Sequence, residues 1–131
     1  MERDVTRILV IEPNPEVRLF LERVLRRSGY EARAAADYPS AEALARTWQP
    51  AAILVDISRP YADPEALSDR LPASADIKQI PRIALTSQYN LDAPLARALG
   101  FAGFLNKPFH IHDLLDELAR LVGPTEKENN A

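Results

Sequence analysis

Four side chains in this sequence are of the kinds that handle phosphates and hard cations, and each stands at the end of a short apolar run. Glu12 follows "ILVI", Asp56 closes "AILVD", Thr86 closes "IALT" and Lys107 follows "FLN". A pair of carboxylates holds an oxygen-seeking cation such as Mg2+. A lysine and a hydroxyl hold the oxygens of a phosphoryl group. Together the four describe phosphoryl transfer by positioning and charge neutralisation. An acid at the end of a buried strand is costly unless it is paired, so Asp56 is hard to read as structure alone.

These residues need a scaffold that brings separate strand ends together. The runs "RILVI", "YEARAA", "AAILVD", "PRIALT" and "FAGFL" read as strands, and "ILVI" and "AILV" are apolar at successive positions, as strands covered on both sides should be. Segments of helical period lie between them. In the first, Val17, Phe20, Leu21, Val24 and Leu25 share a face, Asn14 is the expected N-cap, Pro15 opens the helix and Gly29 caps its end. A second helix is expected from Ser40, with Ala41, Leu44 and Trp48 inward, and a third around Asp63 to Leu71. The fourth spans Asp92 to Leu99 and closes at Gly100, and the fifth carries Ile111, Leu114, Leu115, Leu118, Leu121 and Val122 on one stripe. Strict alternation of five strand–helix pairs implies an α/β fold, a doubly wound parallel sheet with helices on both faces. In such sheets the ligand site lies beyond the carboxyl ends of the strands, where strand order reverses.

The rest of the sequence narrows the chemistry by exclusion. A chain of 131 residues is most simply one domain. It has no cysteine, which excludes disulfides, thiol catalysis and thiolate-bound metals. A net charge of −3 gives no general reason to bind nucleic acid. Arg18, Arg23, Arg26 and Arg27, interleaved with Glu16 and Glu22, read as a solvated helix face, with a docking patch as the alternative. His110 and His112 read as solvated turn residues, and Trp48 as core. No run is long and apolar enough for a membrane span and "MERDVTR" is no secretory signal, so a cytoplasmic location away from membranes is expected. "EPNP" after the first strand lacks the glycines and hydroxyls of a phosphate cradle, which argues against a nucleotide or flavin enzyme. Residues 1–123 are expected to form the domain and 124–131 a polar, disordered tail.

Over about residues 7 to 122 the chain resembles the receiver domains of bacterial two-component response regulators. "ILVIEPNPEVR" stands where that family has a strand followed by two acids; "AILVDISRP" is similar to its phosphoacceptor segment, with Pro60 four residues after the acid; "IALTS" and "FLNKPF" match its last two motifs. The resemblance implies a flavodoxin-like (βα)5 fold in which Asp56 accepts a phosphoryl group from a histidine kinase or phosphotransfer protein. It implies Thr86 and Lys107 as phosphate-binding groups, Phe104 as the switch aromatic, and a Lys107-Pro108 bond that is often cis. Glu12, Asp56 and the Ser58 backbone carbonyl would hold Mg2+, and Gln88 would tune loss of the phosphoryl group. No enzymatic activity is implied beyond Mg2+-dependent autophosphotransfer and self-dephosphorylation. The switching face, and a homodimer contact, would lie on the fourth helix, fifth strand and fifth helix.

One position departs from this pattern. The second acid after the first strand is replaced by Pro13, which has neither a side-chain oxygen nor an N–H. The loop "YADPEAL" also carries Tyr61 and Pro64 where the family commonly has glycines. Two readings stay open on the sequence. Either Glu12, one methylene longer than aspartate, rescues a weakened metal site, or the domain is a pseudo-receiver that binds partners without phosphorylation.

Overall fold

The computed structural model describes residues 5–57, 79–87 and 91–123. Their elements alternate: β1 (Arg7–Ile11), α1 (Pro15–Arg27), β2 (Glu31–Ala35), α2 (Tyr38–Trp48), β3 (Ala52–Asp56), β4 (Arg82–Thr86), α3 (Ala93–Ala98), β5 (Gly103–Asn106) and α4 (Ile111–Val122). Here α3 and α4 are the fourth and fifth helices expected from the sequence. The expected helix around Asp63 to Leu71, the loop from Tyr61 and the 124–131 tail lie outside the described residues.

All strand pairs are parallel, in the order β2-β1-β3-β4-β5. The order reverses between β1 and β3, which places the crevice of the sheet there. The central strands β1, β3 and β4 are covered on both faces, and alternation along each strand divides its side chains between two cores. Ile8, Val10, Leu54, Ile83 and Leu85 pack with Leu21 and Leu25 of α1 and with Leu114 and Leu118 of α4. Leu9, Ile11, Ile53, Val55 and Ala84 pack with Ala41, Ala45 and Trp48 of α2 and Ala96 of α3. Among the described residues no helix is long and apolar enough to cross a membrane.

Helix starts are set by local chemistry. The Asn14 side chain accepts from the N–H groups of Glu16 and Val17 at 2.9 and 3.2 Å. Asp92 caps α3 through Leu95 N–H at 2.8 Å. The expected start of the second helix at Ser40 is corrected: α2 begins at Tyr38, and Asp37 caps it by accepting from Ser40 N–H at 2.9 Å. Asp and Ser cap about equally well, but Asp37 stands three residues before the Ser40 N–H that it accepts from, and Pro39 costs nothing in a first turn whose N–H groups have no helical partner. The inner face of α2 is Ala41, Ala45 and Trp48, with Leu44 only half-buried. Helix α1 ends on Ser28, and Gly29 follows in the left-handed region at φ 103°.

Candidate functional site

Strand register delivers the two acids to one place. Ile11 of β1 pairs with Val55 of β3, so the next residues along, Glu12 and Asp56, leave adjacent strands at the same end of the sheet. Glu12 N–H still bonds Ala35 C=O at 3.0 Å, which keeps its backbone in line with β2. Its side chain is almost fully buried. One carboxylate oxygen, Oε2, accepts from Asn14 N–H at 3.2 Å; the other, Oε1, lies 3.5 Å from Lys107 Nζ. The same ammonium lies 3.3 Å from Asp56 Oδ1. Side-chain exposures of 3%, 11% and 26% for Glu12, Asp56 and Lys107 make this a sheltered cluster, most exposed at the lysine.

Two carboxylates facing one ammonium leave about one unit of negative charge in a mostly dry place. Burial raises the pKa of Glu12 above its ordinary value, and the charge and hydrogen bond of Asp56 push the same way. The Asn14 N–H and the Lys107 charge oppose them. The folded chain therefore holds this proton to higher pH than the unfolded chain does. Stability from this source is full below the ordinary carboxylate value and is lost as pH rises through the raised one. Glu12→Gln is expected to be more stable than the parent at neutral pH, with the gap narrowing in acid. Thermal unfolding across pH in metal-free buffer measures it, and a gap that ignores pH would contradict the buried position of this acid.

The lysine is aimed by the end of the sheet. Thr86 is fully buried at the end of β4 and pairs in register with Asn106. Its carbonyl accepts from Lys107 N–H at 2.6 Å, and the Lys107-Pro108 peptide is cis. Phe104 pairs with Ala84, two residues before Thr86, so Phe104 and the threonine share a face of the sheet. Phe104 is half-buried against the core that includes Ala96 and Phe101. Ser58 and Gln88 lie outside the described residues. His110 and His112 are exposed, and no cluster of three or more metal-ligating side chains forms among the described residues.

The donors present suit a hard cation, with fewer protein charges than two acids after β1 would supply. Glu12 and Asp56 already converge on one positive group, and both offer oxygen only. Pro13 adds no side-chain oxygen, and the Asn14 side-chain oxygen is committed to its own helix. A Mg2+ ion held by these donors would leave much of its coordination to water.

The sequence groups Arg18 with a solvated helix face or a docking patch and does not reveal its contact with the β1–α1 turn. Its Nη1 donates to the carbonyls of Glu12 at 2.9 Å and Pro13 at 3.4 Å. The usable signal was its place one turn after the N-cap, within reach of a turn whose proline carries no donor.

The family model described as the response regulator receiver domain matches residues 8–119. The chain is 31% identical to the transcriptional regulatory protein PrrA of Mycobacterium tuberculosis, over 93% of this chain and 53% of that protein. It is 28% identical to the DNA-binding dual master transcriptional regulator RpaA of Synechocystis, over 92% of this chain and 51% of that protein. The chain thus spans about half the length of the curated relatives it matches. Among solved structures, it is similar to the receiver domain of the sensor histidine kinase PA1611 of Pseudomonas aeruginosa, described with magnesium coordinated in the active-site cleft. That match has a TM-score of 0.72 and 30% identity, covering 92% of this chain and 99% of the other. The chemotaxis protein CheY4 of Vibrio cholerae matches with a TM-score of 0.74 and 25% identity, covering 91% and 100%.

Proposed function

Because the chain belongs to the response regulator receiver domain family, we propose that Asp56 is its phosphoacceptor and that the four strand-end residues form its phosphoryl-transfer site. The observation that carries this reading is the Lys107 ammonium, 3.3 Å from Asp56 and 3.5 Å from Glu12 at the point where strand order reverses. A carboxylate oxygen of Asp56 attacks phosphorus, the bond from phosphorus to the donor's leaving atom breaks, and an acyl phosphate remains. Lys107 neutralises charge on the phosphoryl oxygens, and the Thr86 hydroxyl donates to one of them. Glu12 and Asp56, with the Ser58 carbonyl that the family uses, would hold Mg2+, which would supply positive charge to offset that of the phosphoryl group. Gln88 affects how long the acyl phosphate survives.

The product changes the protein by adding charge and strong acceptors at one strand end. Thr86 and Phe104 share a sheet face, so a shift of the threonine alters the packing of the aromatic ring. Phe104 lines a cleft of about 370 Å3 with Ala96, Arg97, Glu117 and Arg120. That α3-β5-α4 face is the output surface and the place of any homodimer contact. The phosphodonor, a histidine kinase or phosphotransfer protein, approaches beside Lys107, where Val17, Phe20, Pro108 and Phe109 line an apolar cleft of about 470 Å3. The part of the chain that the family model matches, residues 8–119, acts as the receiver. The receiver itself makes no contact with nucleic acid or membrane and works in the cytoplasm.

The phosphorylation-independent reading is not favoured, because a partner-binding module has no use for two acids and an ammonium gathered at one crevice. Incubation with Mg2+ and acetyl phosphate tests the proposal. Intact mass is expected to rise by one phosphoryl group, with the increment removed by hydroxylamine. A mass unchanged at millimolar donor overturns it.

A further inference from the structure

A charged side chain of α1 reaches back into the β1–α1 turn, and the proposed reaction leaves its use unexplained. Arg18 sits on the first full turn of α1, and its N–H makes the helical bond to Asn14 C=O at 2.9 Å. Its guanidinium bends back across the cap to the carbonyls of Glu12 and Pro13. These carbonyls precede the helix, so no helical N–H points at them, and Pro13 removes a donor from the turn itself. No ion pair of Arg18 occurs among the described residues, although Glu16 and Glu22 flank it on the same helix. The guanidinium of this half-buried residue is committed to main-chain oxygens instead, in charge-assisted bonds stronger than neutral ones.

The residue so fastened is the one whose carboxylate faces the site. Glu12 is held at its N–H by Ala35, at its carbonyl by Arg18, at Oε2 by Asn14 and at Oε1 by Lys107. A glutamate has one more rotor than an aspartate, and ordering it costs entropy. Fixing its backbone on both sides removes part of that cost before any cation arrives.

We propose that Arg18 is a positioning residue for the cation site: by clamping the Glu12–Pro13 carbonyls it pre-sets the longer acid to serve where the second acid is absent. This rests on the reading that Glu12 and Asp56 hold Mg2+. A residue that orients a ligand in this way is commonly worth about tenfold or more in metal affinity.

The test compares the parent with Arg18→Ala, Arg18→Lys and Arg23→Ala, the last altering an exposed arginine of the same helix. Calorimetric Mg2+ titration, phosphoryl labelling as a function of Mg2+, and hydrogen exchange at the Asn14 amide in metal-free buffer are the readouts. Arg18→Ala is expected to bind Mg2+ about tenfold more weakly or worse, to exchange the Asn14 amide faster, and to reach the parent's labelling rate at saturating Mg2+. Arg18→Lys, which keeps one charged donor, is expected to fall between, and Arg23→Ala to match the parent. Parent-like affinity in Arg18→Ala overturns the proposal, as does an equal loss in Arg23→Ala. If Arg18→Ala does not fold, parent-like affinity in Arg18→Lys overturns it. Weakened Mg2+ binding in a chain that never accepts a phosphoryl group would support the clamp and refute the acceptor role of Asp56.

Discussion

Asp56→Asn is expected to abolish phosphoryl labelling while leaving the domain folded. The amide has nearly the shape of the carboxylate but no anionic oxygen to attack phosphorus. Its fold should tolerate the change well, because two acids share one ammonium at this point and removing one relieves their repulsion. The charge and hydrogen bond of Asp56 help to raise the pKa of Glu12, so the variant should let Glu12 ionise more readily and pair with Lys107 alone. Melting temperature is expected to hold or rise. Intact-mass labelling with acetyl phosphate and a thermal melt check both halves. A label that survives the substitution would move the acceptor elsewhere, and Glu12, as the other buried acid of the site, would be the first place to look. Its two oxygens already accept from Asn14 and Lys107, which is why no label is expected there.

Pro13→Asp is the largest gain expected from one change. An aspartate after Glu12 supplies the missing acid, and one charge-assisted contact is worth about 1.5–3 kcal/mol. Mg2+ affinity should rise about ten- to more than a hundredfold. Without metal the variant should be less stable than the parent. It loses the restriction that proline places on the unfolded chain, worth about 0.4–1 kcal/mol, and it adds a negative charge beside two others. The stability order of parent and variant should therefore reverse as Mg2+ is added. Thermal melts across a Mg2+ series follow the crossing. An unchanged affinity would mean that position 13 does not face the cation, and that the site's weakness has another source.

Much of this site was legible in the sequence because its determinants are local. Apolar runs that end in Glu12, Asp56 and Thr86 announce strands that must be buried and must release a polar group at one end. Asn14-Pro15 and Asp92 announce helix starts by their own hydrogen-bonding chemistry. The start of α2 was misplaced because Asp37 and Ser40 are both good caps, and only the bond between them shows which serves. The role of Arg18 was invisible for a different reason. Its partners are main-chain carbonyls, which every residue carries, so no pattern of residue types marks them. Burial of Glu12 was also hidden, since an acid after a strand is exposed or enclosed according to how Lys107 and the turn close over it.

The most direct test of the central claim uses beryllofluoride, which mimics an acyl phosphate, with Mg2+ and the 15N-labelled chain. Saturable shifts of the amides of Asp56, Thr86 and Lys107 together are the predicted result, and Asp56→Asn should show none of them. Spectra of the parent that do not change at millimolar beryllofluoride and Mg2+ would contradict the account, because the strand ends would then meet in space without binding a phosphoryl group.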